Sequence, residues 1–455
     1  MTKPIYIPQD IAKGSAHVTS TSNKKFDRTA YMIENMNENS AYRSYLDQKT
    51  VNDGNFKILE EFKKKYFNYR KEWKQQPIDA YKKMHSSGDN SEFFSNINPL
   101  CVDIETASIC DLACPHCYRE YLITPDKIMD EKLYKKIIDQ ISNLGIPSIK
   151  LNWRGEPLLN PKIYEYISYA KKKGILEVSI NTNATQLNEK NSIKLLESGI
   201  DLVIFSFDGG TVKTYEKMRP GRFKSNKFNE VYENIRKFCE LKKSKNLKFP
   251  ITKIQMVLTE DSRGEINDFF QLFGKLIDDV TVTQYQERGG NIDDLNEKHR
   301  ANLQKYLHQN KIKKELPYMV SPDDKIFVSY SRNPCEQLFQ RLMITYNGKV
   351  GMCCHDWGAK HPVGYVDQNG FGDDDALNKV RKNIENNNKG FELLKKAKMP
   401  QQYNNPIKEV KSIIEIWRSE ELNKIRKIHK EKKLEKLKIC EKCTFRDTYS
   451  WQSID

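Results

Sequence analysis

From residue 101 to residue 287, short apolar runs alternate with longer amphipathic segments, and this alternation leaves few folds open to the chain. "LCVDIETA", "SIKLNW", "ILEVSINTN", "DLVIFSFDG", "PITKIQMVLTE" and "DVTVTQYQE" read as six strands. The segments between them, such as "DEKLYKKIIDQISNLG" and "NKFNEVYENIRKFCELKK", read as helices. "PKIYEYISYAKKKG" opens on Pro161 and closes on Gly174, as a helix should. Strands alternating with helices build a parallel sheet with helical crossovers. Six such units suit an incomplete barrel better than a closed eightfold one. The expected fold class is therefore α/β, a partial (β/α)6 TIM-like barrel over residues 101–290.

The flanks read differently. Residues 1–100 are polar and rich in Lys, Asn and Ser, and predict a helical N-terminal extension. Its clearest helix is "GNFKILEEFKKKYFNYRKEW", where Phe56, Leu59, Phe62 and Phe67 fall near one face. Residues 291–330 read as a linker with one helical piece, "LNEKHRANLQKYLHQN". Residues 331–455 read as a small α+β module. It holds a hairpin that turns at Asn347-Gly348 and a long basic helix, "EIWRSEELNKIRKIHKEKKLEKLK".

The formal net charge is +15, but its lysines are dispersed through the whole chain. No arginine-rich stripe or nucleic-acid motif accompanies it, so solvated helix faces account for the charge and nucleic acid is not an expected partner. No segment reaches the ~18–20 apolar residues of a membrane span. The N-terminus has no apolar core of a secretory signal. The expected location is cytoplasmic, where thiols stay reduced and clustered cysteines favour metal or catalysis over disulfides.

Three of the ten cysteines fall within "SICDLACPHCYREY": Cys110, Cys114 and Cys117. Zinc prefers four ligands, and a ferredoxin run carries a fourth cysteine nearby. Three thiolates on a cubic [4Fe-4S] cluster leave one iron free to bind a small molecule. The spacing resembles the signature of the radical S-adenosylmethionine (SAM) superfamily, whose fold is a partial (β/α)6 barrel with this loop after its first strand. The resemblance extends over residues 101–290. "WRGEP" is similar to the family's Gly-Glu motif and implies SAM contacts at Arg154, Gly155 and Glu156. "NTNAT" offers Asn181, Thr182 and Asn183, and "SFDG" offers Ser206 and Asp208, at strand ends where the family's polar side chains face SAM. Arg219 is a candidate partner for a carboxylate. The residue before the third cysteine is often aromatic in the family and packs on adenine; here it is His116.

Seven cysteines remain. Cys101 and Cys239 read as small core residues. Cys440-x2-Cys443 is a metal-type pair, and Cys335 and Cys353 bracket the hairpin. This pattern resembles the SPASM/twitch modules of radical SAM enzymes and implies an auxiliary [4Fe-4S] cluster on Cys335, Cys353, Cys440 and Cys443. Cys354 is the spare thiol, and a closed zinc knuckle is the alternative. His355 reads as a surface or hairpin residue.

The resemblance implies that the first cluster, fed by a flavodoxin- or ferredoxin-type reductant, cleaves SAM to a 5′-deoxyadenosyl radical that takes a hydrogen atom from substrate. With one auxiliary cluster as electron acceptor, the first expectation is a dehydrogenase-type oxidoreductase acting on a carbohydrate or cyclitol. Gln284, Tyr285, Glu287 and Arg288, with Trp153, are candidate substrate-facing groups, and Glu287 is the candidate base. The second expectation is a peptide or protein maturase, and the third a non-catalytic iron–sulfur electron carrier.

Overall fold

The computed structural model describes residues 15–19, 26–39, 41, 55–86, 97–286, 295–441 and 443–454. Its strands in chain order are β1 (Ser15–Thr19), β2 (Cys101–Ile104), β3 (Ser148–Lys150), β4 (Glu177–Thr182), β5 (Leu202–Ser206), β6 (Ile251–Leu258), β7 (Asp279–Gln284), β8 (Tyr318–Val320), β9 (Ile326–Arg332), β10 (Arg341–Ile344), β11 (Lys349–Gly351), β12 (Pro362–Tyr365) and β13 (Tyr449–Ser453). Strands β2 to β7 lie side by side in sequence order, all parallel. This is the partial (β/α)6 barrel that the alternation predicts.

The local chemistry explains the crossovers. The helix Glu131–Asn143 starts where Asp130 accepts hydrogen bonds from the Lys132 and Leu133 amides. Leu133, Tyr134, Ile137, Ile138 and Ile141 recur at helical spacing and are buried against the sheet. Each such side chain contributes about 1.5–3 kcal/mol of transfer free energy. Helices Ile163–Lys172, Glu189–Glu197, Phe228–Ser244 and Ile266–Phe273 complete the outer layer.

The C-terminal module is built onto this sheet. Strand β10 pairs parallel with β2, placing Leu342 beside Val102 and Ile344 beside Ile104. Strand β11 returns antiparallel to β10 through the expected turn, where Gly348 adopts φ +89°. One ten-stranded sheet results, in the order β1-β7-β6-β5-β4-β3-β2-β10-β11-β12. A second sheet joins β13, β9 and β8, so strands from both the stretch read as linker and the chain's last turn share it.

Three expectations need correction. The N-terminal extension is not purely helical, because β1 pairs antiparallel with the edge strand β7. In the helix Asn55–Ser86 the inward row from Phe62 runs through Tyr66 and Tyr69, while Phe67 points outward at 55% exposure. Tyr66 is drawn inward partly by its hydroxyl, which donates to Glu177 at 2.6 Å. The side chain of Phe56 lies outside the described residues. The long basic helix is two helices, Ile413–Trp417 and Glu420–Lys430, because Ser419 caps a new start by accepting from the Leu422 amide. Among the described residues no helix is long and apolar enough to cross a membrane.

Candidate functional site

Cys110, Cys114 and Cys117 sit on the loop after β2, at the carboxyl ends of the parallel strands, where ligands bind in such sheets. Backbone bonds hold the loop on several sides. The Ala113 amide donates to Pro220 O at 2.9 Å, the Arg222 amide to Asp111 O at 2.7 Å, and the Glu156 amide to Ile109 O at 2.8 Å. Buried Arg119 donates to Ser108 O at 2.7 Å and pairs with Asp126, which Arg222 also grips at 2.8 and 2.9 Å.

The "WRGEP" residues brace this loop. A Cβ on Gly155 would stand 2.3 Å from Ile109 O and 2.5 Å from Ala107 O, so only glycine lets the two backbones meet. The Arg154 guanidinium is committed to Glu105, at 2.5 and 2.8 Å. Glu156 accepts from Thr182 Oγ1 and the Asn183 amide, both at 2.7 Å, and from the Leu158 amide at 3.0 Å. Burial, with Asp111 nearby, pushes its carboxyl up to about 7.

At the end of β4, Asn183 is turned to the cysteine loop and donates to Asp111 at 2.8 Å. Thr185 and Gln186 donate to the same carboxylate at 2.6 and 3.0 Å. Beyond β5, Oδ2 of fully buried Asp208 lies 3.0 Å from His116 Nε2 and 2.7 Å from Arg219 Nη2, as ion pairs. Thus Thr182, Asn183 and Asp208 bind the scaffold. The Asn181 Oδ1 and His116 Nδ1 atoms are instead buried with no hydrogen-bond partner among the described residues, and each is suited to a ligand's polar group.

These residues line a cleft of about 430 Å³, a volume suited to a small molecule. All three cysteines, Ser206, Gln284, Tyr285 and Trp153 also face it. Glu287 and Arg288 lie outside the described residues. The far wall holds Trp357, whose ring centroid is 5.8 Å from that of Trp153. Lys360 Nζ bonds the Tyr118 hydroxyl at 2.6 Å behind it.

Burial pushes the Cys114 thiol up to about 12, although Arg219 pulls the other way; burial and Asp111 hold Cys110 well above its usual range. Loading metal here must therefore expel protons. Among the described residues no three His, Cys, Asp or Glu side chains converge as a single metal ion requires. The three thiols face one cleft from a single loop, the donor set that an iron–sulfur cluster with one open iron would use.

In the second set the thiols lie near enough to act on one another. Burial raises the thiols of Cys335, Cys353 and Cys440, and each is raised further by its neighbours: Cys335 by Cys443, Cys353 by Cys354, Cys440 and Cys335, Cys440 by Cys443 and Cys335. Cys354 turns aside, with its sulfur 3.5 Å from Gln337 Oε1 and its side chain packed in the Trp153–Trp357 cluster. The His355 ring lies against Phe445, at 5.1 Å. Cys101 and Cys239 are buried core residues.

Sequence reasoning missed Asp111, Trp357 and His429. Asp111 lies between the first two cysteines, a position that signals proximity and not its role as acceptor for three side chains. Trp357 and His429 reach their sites only through tertiary packing.

Residues 104–273 match the family model described as the radical SAM superfamily, and residues 335–390 match that of an iron–sulfur cluster-binding domain, SPASM. A probable GTP 3′,8-cyclase of Methanothermobacter marburgensis is 33% identical over 112 residues, 25% of this chain and 36% of that protein. The mycofactocin maturase MftC of Mycolicibacterium smegmatis is 23% identical over 211 residues, 46% of this chain and 51% of that protein. The AdoMet-dependent heme synthase of Oleidesulfovibrio alaskensis is 27% identical over 180 residues, 38% of this chain and 43% of that protein. The matched region thus spans only 36% to 51% of these relatives. The crystal structure of BtrN with AdoMet and 2-DOIA aligns over 76% of this chain and 94% of that one, at 17% identity and a TM-score of 0.41.

Proposed function

We propose, from the premise that this chain is a radical SAM protein with a C-terminal iron–sulfur module, that it oxidises a substrate C–H bond by two electrons. The observation that carries the proposal is the contrast between its two thiol sets. The first has three cysteines in one loop facing a cleft, and the second has four in the C-terminal module, none of which lines that cleft. Cys110, Cys114 and Cys117 would hold the SAM-binding [4Fe-4S] cluster. Cys335, Cys353, Cys440 and Cys443 would hold the auxiliary one, with Cys353 preferred to Cys354 because the Cys354 sulfur is turned to Gln337 and packs with Trp153 and Trp357.

When bound, the first cluster and SAM supply the 5′-deoxyadenosyl radical that takes one hydrogen atom from the substrate. The chain's own part is to bind, orient and shield. Asn181, Ser206 and His116 present polar atoms to SAM. Trp153, Trp357 and Tyr285 line the cleft and would pack against the substrate. Arg219 and Asp208 hold the cysteine loop, and Glu287 is the candidate acceptor of the proton that the substrate radical releases. When bound, the auxiliary cluster would accept the electron left on the substrate, balancing the one electron that a flavodoxin- or ferredoxin-type carrier delivers to the first cluster.

A carbohydrate or cyclitol carbinol is the proposed substrate class. A peptide maturase is the second reading, favoured by the mycofactocin maturases among the relatives. Anaerobic turnover with nucleotide sugars, cyclitols and model peptides separates them. A carbonyl product two mass units lighter supports the first reading. A crosslinked or epimerised peptide, with no sugar or cyclitol turned over, overturns it.

A further inference from the structure

The helix Glu420–Lys430 carries a histidine that touches two of the four thiol residues of the second set. The His429 ring is 1% exposed. Its Nδ1 accepts the Cys335 backbone N–H at 3.3 Å, and its Nε2 lies 3.3 Å from Cys440 Sγ. An imidazole nitrogen that accepts a hydrogen bond carries no hydrogen. The ring's hydrogen is therefore on Nε2, aimed at the sulfur. The helix is rigidly seated, since fully buried Arg426 donates to Leu338 O at 3.1 Å and to Trp417 O at 2.8 Å.

We infer that His429 is a positioning residue of the auxiliary site, whose Nε2–H donates to the Cys440 sulfur and raises the reduction potential of the cluster held there. The inference rests on the proposed auxiliary cluster. Reduction adds negative charge that is shared by the ligand sulfurs, and a hydrogen-bond donor stabilises that charged state. A neighbouring cation acts in the same direction. Arg332 donates to Cys440 O, which places its positive charge beside one of the four thiol residues. A higher potential suits a site that must take an electron from a substrate radical. The inference adds no chemical step to the reaction.

The test is a redox titration, followed by electron paramagnetic resonance, of the reconstituted full chain in the Cys110→Ala, Cys114→Ala, Cys117→Ala background, where only the auxiliary cluster remains. His429→Phe is expected to keep about four irons and to shift the midpoint potential downward, and His429→Gln, which retains a donor, to recover part of the shift. An unmoved potential in an iron-replete His429→Phe variant overturns the inference. If His429→Phe loses its iron while His429→Gln keeps it at a potential near the parent's, the donor is supported. Loss of iron from both overturns it, because the ring then serves packing alone. Zinc or no metal at the second set in the parent protein overturns the auxiliary-cluster reading itself, a failure distinct from an unmoved potential.

Discussion

His116 Nε2 lies 3.0 Å from Asp208 Oδ2, and this contact joins the cysteine loop to the end of β5. The same oxygen faces Arg219. Burial alone would raise the Asp208 carboxyl, but Arg219 first and then His116 hold it well below the usual carboxylate range. The clamp fixes the chain immediately before Cys117. It also takes His116 Nε2 out of play for a ligand and leaves Nδ1 and the ring face to the cleft.

Asp208→Ala removes the counterion of a buried guanidinium. It is predicted to destabilise the fold by about 3–5 kcal/mol. Urea unfolding of the metal-free chain measures this. SAM affinity of the reconstituted variant should fall as well, because the loop loses its anchor. Unchanged stability and affinity would show that the clamp is dispensable.

Gly155→Ala would drive a methyl group into the carbonyls of Ala107 and Ile109. The displaced loop is expected to lose the first cluster while the second survives. Iron content after anaerobic reconstitution should fall from about eight to about four per chain. Full iron loading in this variant would contradict the assigned role of the close approach.

Glu156 gives a pH signature. Its carboxyl is raised from 4.5 to about 7 in the folded chain, chiefly by burial and then by Asp111. The folded state therefore binds the proton more tightly than the unfolded one. That stabilisation is present below the unfolded value and is lost as pH rises through about 7. The loss amounts to at most about 3 kcal/mol. Urea midpoints measured at several pH values from 4 to 8 should fall in the wild type relative to Glu156→Gln. Parallel curves would refute the shift.

The barrel was legible because its signals are local. Each strand is a short apolar run and each crossover carries a cap and a one-sided apolar face, as Asp130 and the Leu133–Ile141 row illustrate. Strand β1 was not legible: five residues in a polar extension owe their conformation to the free edge of β7, which lies more than 250 residues away. The basic helix was read as one because charge and periodicity run through Ser419, whose side chain instead begins a new helix.

The site was legible where spacing carries the chemistry. The cysteine positions and the "WRGEP" and "NTNAT" stretches do converge on one cleft. What spacing could not give is which polar groups remain for a ligand. Asn183, Thr182 and Arg154 are occupied by Asp111, Glu156 and Glu105, while Asn181 keeps a free oxygen. That division depends on contacts between strand ends, which no single segment encodes.

The central claim is that three thiolates, and only three, open the first site to SAM. The direct measurement is 5′-deoxyadenosine formed from SAM by anaerobically reconstituted, reduced protein, wild type against the Cys110→Ala, Cys114→Ala, Cys117→Ala variant. The account predicts clear formation by the wild type and none above background by the variant, with the auxiliary cluster still present. Equal formation by both proteins would contradict it.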